Sequence, residues 1–174
     1  ELVDSYRDKF ESVAVAEPLL GEVGSDATVI NADKEAVAKA ITAEAVKTAG
    51  FDSVDAAAAD GTAFVFMGHG TAHVAKVSYS QMSAQTQNLG YENVIEAVKA
   101  AGYTKVVLRP LMVVAGDHAN NDMAGDDDDS WKSQFEASAA FDSVECQIAG
   151  LGEIADIQQL YIAHTKAAVD SLNG

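Results

Sequence analysis

The 174-residue sequence contains a single cysteine, Cys146. One cysteine excludes an internal disulfide and any metal site built from cysteines alone, which leaves histidines and carboxylates as the candidate metal ligands. Cys146 itself lies in an apolar, alternating stretch. This setting favours a buried and unreactive thiol over a functional one.

Basic residues are also scarce, since 11 Lys and Arg stand against 27 Asp and Glu for a net charge of -16. This charge repels nucleic acid and anionic lipid, and no cluster of Lys and Arg offsets it. No apolar run approaches the roughly 18 to 20 residues that cross a bilayer. We therefore expect no nucleic acid and no membrane as partners. The acidic start does not resemble a signal peptide, so we expect a cytoplasmic protein, or a periplasmic one if a signal peptide has been removed; homo-oligomerisation stays open.

Apolar residues make up 48% of the chain, which is enough for one folded domain or one lobe of a larger protein. Short runs rich in Val and Phe alternate with helical patterns, which is typical of a parallel sheet flanked by helices on both faces. We therefore predict an α/β fold. The predicted strands are 12–15, 63–67, 105–108 and 143–148. The first predicted helix has Asp33 as its N-cap and ends before Gly50, and the other predicted helices are 75–88, 95–101, 127–139 and 153–172.

One junction breaks this alternation of strands and helices. Gly102-Tyr103 leads from a helix into a predicted strand, whereas the same dipeptide at Gly90-Tyr91 leads at once into a helix. Two successive helices leave no strand between them to carry a right-handed crossover. Either the segment is an αα-hairpin, or a strand with its loop is missing near 94–95.

Two histidines follow predicted strands. His69 comes just after strand 63–67, and His118 lies in the loop that follows the apolar run starting at 106. Ligands of open α/β sheets bind beyond the carboxyl ends of the strands, so we expect both loops at the same edge. Two imidazoles suit divalent cobalt, nickel, iron or zinc, usually with a carboxylate as third ligand. The alternative is that His69 only hydrogen-bonds within a tight turn, and the residues alone leave both interpretations open.

Three other polar features favour structural interpretations. His164 shares its helix face with apolar residues, which predicts a hydrogen-bonded histidine in or beside the core. The run Asp126 to Asp129 precedes Trp131 and is more typical of a helix start than of a cation site. Gly68-His69-Gly70 is a poor dinucleotide loop, because the third glycine of GxGxxG falls at His73.

Three longer motifs together resemble one known family. They are VFMGHGTAH at 65–73, RPLMVVAGDHANNDMAGDDDDSWK at 109–132 and GLGEIADIQQLYIAH at 150–164. They resemble the anaerobic cobalt chelatases, the sirohydrochlorin cobaltochelatase family, from about Tyr6 to Leu172, which corresponds to the later part of a family member. The resemblance implies two similar α/β lobes with a tetrapyrrole between them. Residues 1–20 would then end a preceding lobe, and 21–174 would form a chelatase-like lobe with a segment missing near 94–95.

The resemblance also implies which residues form the site. His69 in GHGT and His118 in AGDH correspond to the family's metal-binding histidines, and we expect both to be catalytic. His69 is the first choice for the base while His118 holds the metal, and the reverse assignment stays open. His73 would either support the two metal-binding histidines or line the cleft beside them. The family's third ligand is a glutamate in a Gly-Thr-Val-Glu-Gly motif, which this chain lacks and whose expected place is near 94–95.

The activity that the resemblance implies is the insertion of divalent cobalt into sirohydrochlorin during anaerobic cobalamin biosynthesis. Some relatives use iron, and nickel or zinc would also suit histidine ligands. The substrate carries many carboxylates, so an acidic protein would need local donors such as Arg109 or Lys76. Two alternatives stay open: a non-catalytic protein that binds a metal or a finished tetrapyrrole such as haem, and an iron chelatase of the same fold.

Overall fold

A computed structural model of the protein describes residues 3–23, 31–70, 76–86 and 91–173. Within these ranges, three parallel strands form one sheet in the order β1-β2-β3, with helices around it. The strands are β1 (Thr62–Gly68), β2 (Lys105–Leu111) and β3 (Ser143–Cys146). The α-helices are α1 (Ala32–Thr48), α2 (Val54–Ala59), α3 (Val77–Thr86), α4 (Tyr91–Ala100), α5 (Trp131–Ala137) and α6 (Ala155–Leu172); Asp4–Lys9 and Leu151–Glu153 are 3-10 helices, and Ala119–Met123 is a π-helical turn.

The sheet is covered on both faces because successive side chains of each strand point in opposite directions. Phe66 of β1 packs in one apolar cluster with Ile41 of α1 and Ile157 of α6. Its neighbour Val65 packs in the other cluster, which includes Phe135 of α5. The predicted α/β class, with helices on both faces of a parallel sheet, is therefore confirmed.

The first long helix begins two residues earlier than predicted. Asn31, not Asp33, is its N-cap, and the Asn31 side chain accepts a hydrogen bond of 2.9 Å from the backbone N–H of Lys34. Asp33 lies in the first turn instead, where one carboxylate oxygen is 3.3 Å from Nε2 of His164. A tertiary contact thus occupies the side chain that the local sequence pattern assigned to capping.

The prediction of a strand at 12–15 is wrong. The structure shows no ladder partner for this segment among the described residues, and Val15 is 62% exposed. The carbonyl of Val13 instead accepts a hydrogen bond of 3.3 Å from the Arg7 guanidinium. An apolar alternation forms a strand only where a neighbouring strand supplies hydrogen bonds, and a local pattern does not reveal that neighbour.

The flagged junction lies inside a continuous helix, since α4 contains both Val94 and Ile95. Helices α3 and α4 follow each other, and residues 87–90 between them lie outside the described residues. In the part of the chain that the structure describes, no strand occurs between β1 and β2. Whether a segment is missing near 94–95 stays a prediction.

Three smaller features complete the fold. The aspartate run precedes α5 rather than forming its first turn, because Ser130 is the N-cap and its Oγ accepts from the Ser133 N–H at 3.1 Å. His164 is 13% exposed and its Nδ1 lies 3.2 Å from the Glu17 carbonyl, so it is a boundary histidine, as predicted. Across the described ranges, each helix is too short or too polar to traverse a bilayer.

Candidate metal site

His69 and His118 meet at the carboxyl edge of the sheet. His69 is the first residue after β1, and His118 follows the loop that leaves the adjacent strand β2. Their ring centroids are 4.5 Å apart, and the ring planes are inclined at 80°. Both side chains are exposed. His73, the third histidine of this region, lies outside the described residues.

The two positions next to His69 favour glycine for different structural reasons. A Cβ on Gly68 would lie 2.6 Å from Cε1 of Tyr79, so the Tyr79 ring packs directly against the Gly68 backbone. Gly70 has a φ of +72°, a conformation that side chains of L-residues rarely adopt. Glycine at position 70 thus permits the backbone conformation that follows His69, and His69 itself lies exposed at the end of β1.

The loop that leads to His118 is held by the segment that follows β3. The N–H of Leu151 donates to the carbonyl of Met112 at 2.8 Å, and the N–H of Gly152 donates to the carbonyl of Val113 at 2.9 Å. The two backbones approach so closely that a Cβ on Gly150 would lie 2.5 Å from the Val113 oxygen. The GLG part of the third sequence motif thus fixes the loop that carries His118.

Asp122 completes the surroundings of His118 and is absent from the sequence-based predictions. Its carboxylate Oδ2 is hydrogen-bonded to Nδ1 of His118, four residues earlier, and the two side chains are 53% and 50% exposed. The hydrogen bond with Asp122 raises the pKa of His118 above its ordinary value, and the charges of Asp122 and Asp117 act in the same direction. The spacing of four residues brings the two side chains together only if the segment is helical, and it does not by itself distinguish Asp122 from a solvated charge.

A third metal ligand is not found among the described residues. There, no group of three or more His, Cys, Asp or Glu side chains is placed to hold a metal ion. The nearest carboxylate, Asp122, is engaged with His118. The site as described therefore offers two imidazoles, of which one is hydrogen-bonded by a carboxylate.

The suggestion that Arg109 could offset substrate carboxylates does not fit the structure. Arg109 is 2% exposed, and its Nη1 donates to Oε1 of Gln147 at 2.8 Å. The Gln147 Nε2 in turn donates to the carbonyl of Ala45 in α1. Burial lowers the pKa of Arg109. Lys76, in contrast, is exposed.

Cys146 is half-buried, and burial raises the pKa of its thiol. This agrees with the predicted unreactive residue.

The fold and the paired imidazoles define an α/β protein with a candidate site for a transition metal at the carboxyl edge of its sheet. Comparison with known families matches residues 1–170 to the cobalt chelatase (CbiK) family. The chain belongs to this family, and the resemblance seen in the three motifs is confirmed.

Two curated relatives show how much of such a protein the chain represents. It is 41% identical over 119 residues to the sirohydrochlorin cobaltochelatase of Salmonella typhimurium (strain LT2), a match that covers 61% of this chain and 44% of the relative. It is 33% identical over 126 residues to the sirohydrochlorin cobaltochelatase CbiKC of Nitratidesulfovibrio vulgaris (strain Hildenborough), which covers 64% of this chain and 43% of the relative. The chain thus spans less than half the length of the curated relatives it matches.

Proposed function

We propose that this protein is a sirohydrochlorin cobaltochelatase, a lyase that inserts divalent cobalt into sirohydrochlorin in anaerobic cobalamin biosynthesis. The observation that carries the proposal is the 4.5 Å separation of the His69 and His118 rings at the ends of adjacent strands. Family membership and the names of the two relatives support cobalt as the metal substrate and a tetrapyrrole as its acceptor. These names give no support to iron, nickel or zinc.

The reaction needs a metal ion at one face of the macrocycle and the removal of two pyrrole protons. A neutral imidazole can bind the metal through one nitrogen, and another can accept a proton. In this proposal both imidazoles hold the ion on its arrival, and His118 is the ligand that keeps it longer, because Asp122 occupies Nδ1 and leaves Nε2 for the ion. Once the ion leaves His69 for the ring nitrogens, the freed His69 imidazole acts as the base: it takes the two pyrrole protons in turn and passes each to solvent. The two protons released balance the two positive charges of the ion.

The loop that leads from β2 to His118 carries two exposed valines. Val113 and Val114 are 44% and 74% exposed, and they lie in the loop that the GLG segment holds. In this proposal the two valines contact the apolar face of the macrocycle.

The assay for the proposal is the absorbance change of free sirohydrochlorin when cobalt is added. His69→Ala and His118→Ala should each slow insertion by about 100-fold or more, the typical contribution of a positioned acid–base group. His164→Gln is the matched control, since the His164 ring contacts the Glu17 carbonyl and the Asp33 carboxylate rather than either of the two paired imidazoles. Unchanged insertion by both site variants would refute the assignment of the site.

A second candidate function, a non-catalytic carrier of a metal or a tetrapyrrole such as haem, is favoured by the lack of a third ligand among the described residues. The same spectroscopic assay separates the two functions. With a carrier, the spectral change stops when one equivalent of tetrapyrrole per protein has reacted, whereas a chelatase converts many equivalents of tetrapyrrole per protein. Replacing cobalt by ferrous iron in this assay tests the iron chelatase alternative, and nickel and zinc can be compared in the same way.

We also propose a domain organisation in which 1–20 end a preceding lobe and 21–174 form the chelatase-like lobe, with a strand and loop missing near 94–95. The repeated Gly-Tyr dipeptide and the missing Gly-Thr-Val-Glu-Gly motif support this proposal. Peptide mapping of the protein from its source cells tests it. A tryptic peptide that follows Lys76 and ends at Lys99 with the mass of the printed sequence would contradict it.

A further inference from the structure

Asp122 holds one nitrogen of His118 in a defined orientation. We propose that Asp122 is a positioning residue: it fixes His118 as the tautomer with hydrogen on Nδ1 and so directs the Nε2 lone pair toward the metal ion. The inference deepens the proposed function and rests on it in one respect, the assignment of His118 as a metal ligand. The juxtaposition of the two side chains is itself present in the structure.

The chemistry of the pair selects the tautomer. An ionised carboxylate only accepts hydrogen bonds, so the Asp122 oxygen requires a hydrogen on Nδ1 of His118. The neutral imidazole then carries its lone pair on Nε2. Histidines that bind metals commonly donate their other N–H to a carboxylate, which fixes the ring orientation and makes the ligand nitrogen more basic.

The turn between His118 and Asp122 is anchored, so the carboxylate is presented from a fixed backbone. Ala119 and Met123, at the two ends of the π-helical turn, are fully buried. Asn120 Nδ2 donates to the Gly116 carbonyl at 2.7 Å, which ties the turn to the preceding loop. A Cβ on Gly125 would lie 2.4 Å from the Asn121 carbonyl oxygen, so the chain after the turn packs tightly on it as well.

The other role open to Asp122 is that of a third metal ligand. Two observations favour the positioning role: the carboxylate is bonded to Nδ1, and the described residues contain no three-membered ligand group. The two roles predict different variants. An amide oxygen in Asp122→Asn can still accept from Nδ1–H, so this variant keeps the tautomer, whereas a direct cobalt–carboxylate bond would be lost.

The first test reads the tautomer without any metal. Imidazole 15N chemical shifts of the metal-free protein should show His118 in the Nδ1–H form in the wild type and in Asp122→Asn, and a mixture in Asp122→Ala. Asp117→Ala is the matched control: it removes the same charge from the same loop, but Asp117 bonds Asn121 and not the ring. A wild-type Nε2–H form, or an unchanged Nδ1–H form in Asp122→Ala, would overturn the proposal.

The second test is cobalt titration followed by calorimetry. Asp122→Ala should weaken binding about 10- to 100-fold, the usual effect of losing such a partner, with a smaller loss in Asp122→Asn and partial recovery in Asp122→Glu. In a His118→Ala background, Asp122→Ala should have no further effect, because Asp122 acts through His118. An equal loss in both backgrounds would show a direct ligand and overturn the proposal. Wild-type protein that binds cobalt in this way but inserts none into sirohydrochlorin would instead refute the proposed function alone.

Discussion

Replacing Gly150 by alanine tests whether the segment after β3 positions the loop that carries His118. A Cβ at this position would lie 2.5 Å from the Val113 oxygen, 3.0 Å from the Ala115 nitrogen and 3.1 Å from the Val113 carbonyl carbon. All three neighbours are backbone atoms, so no side chain can rotate away. The shortest contact falls about 1 Å below an ordinary van der Waals separation, and the loop must move by a comparable distance.

Two consequences follow from this displacement. Overpacking of a well-packed site costs typically about 1 to 3 kcal/mol, and we expect the free energy of unfolding of Gly150→Ala to fall by this amount. A displacement of about 1 Å in a group that positions a reacting atom can cost about 100-fold in rate. The rate of cobalt insertion by Gly150→Ala should therefore fall by about 100-fold under conditions in which the variant is still folded.

The matched control is Gly116→Ala, in the same loop but with no atom within 4 Å of the added Cβ. Its free energy of unfolding should stay within about 0.5 kcal/mol of the wild type, as for other unconstrained surface changes. Urea denaturation measures both variants. Equal stability of Gly150→Ala and the wild type would refute the role of the close approach between these two loops.

Three further predictions concern Cys146, the His118–Asp122 pair and Asn31. Cys146 should be alkylated much more slowly in the native protein than in urea, because burial raises its pKa and limits access; equal rates by mass spectrometry would contradict this. The His118–Asp122 pair should stabilise the fold below the ordinary imidazole pKa of 6.5, and this contribution should disappear as the pH rises through the raised pKa of His118. When the urea midpoint is plotted against pH, Asp122→Ala should therefore give a flatter curve in this range. Asn31→Ala should lower the free energy of unfolding by about 1 to 2 kcal/mol, because the backbone N–H of Lys34 loses its hydrogen bond to the Asn31 side chain. A change below about 0.3 kcal/mol would contradict a stabilising role for this helix cap.

Much of the fold follows from patterns of short range. The apolar runs at 63–67 and 105–108 became adjacent strands, and the histidines that follow them lie at one edge because parallel strands end on the same side. The proximity of His69 and His118 could therefore be predicted from a parallel sheet alone, because each histidine follows the carboxyl end of a strand.

The features that sequence patterns missed depend on contacts between distant segments. Both Asn31 and Asp33 can cap a helix, and the contact of Asp33 with His164 decides between them. The segment 12–15 has strand character but no neighbouring strand among the described residues. An exposed aspartate in an acidic chain looks like a solvated charge, so Asp122 acquires meaning only through the π-helical turn that brings it to Nδ1 of His118.

The central claim is that His69 and His118 together bind cobalt. X-ray absorption spectroscopy of the cobalt-loaded protein measures it directly, because imidazole rings give a characteristic scattering pattern that counts the bound histidines. We predict two imidazoles on cobalt in the wild type and one in each of His69→Ala and His118→Ala. An imidazole count that is unchanged in both variants would contradict the account.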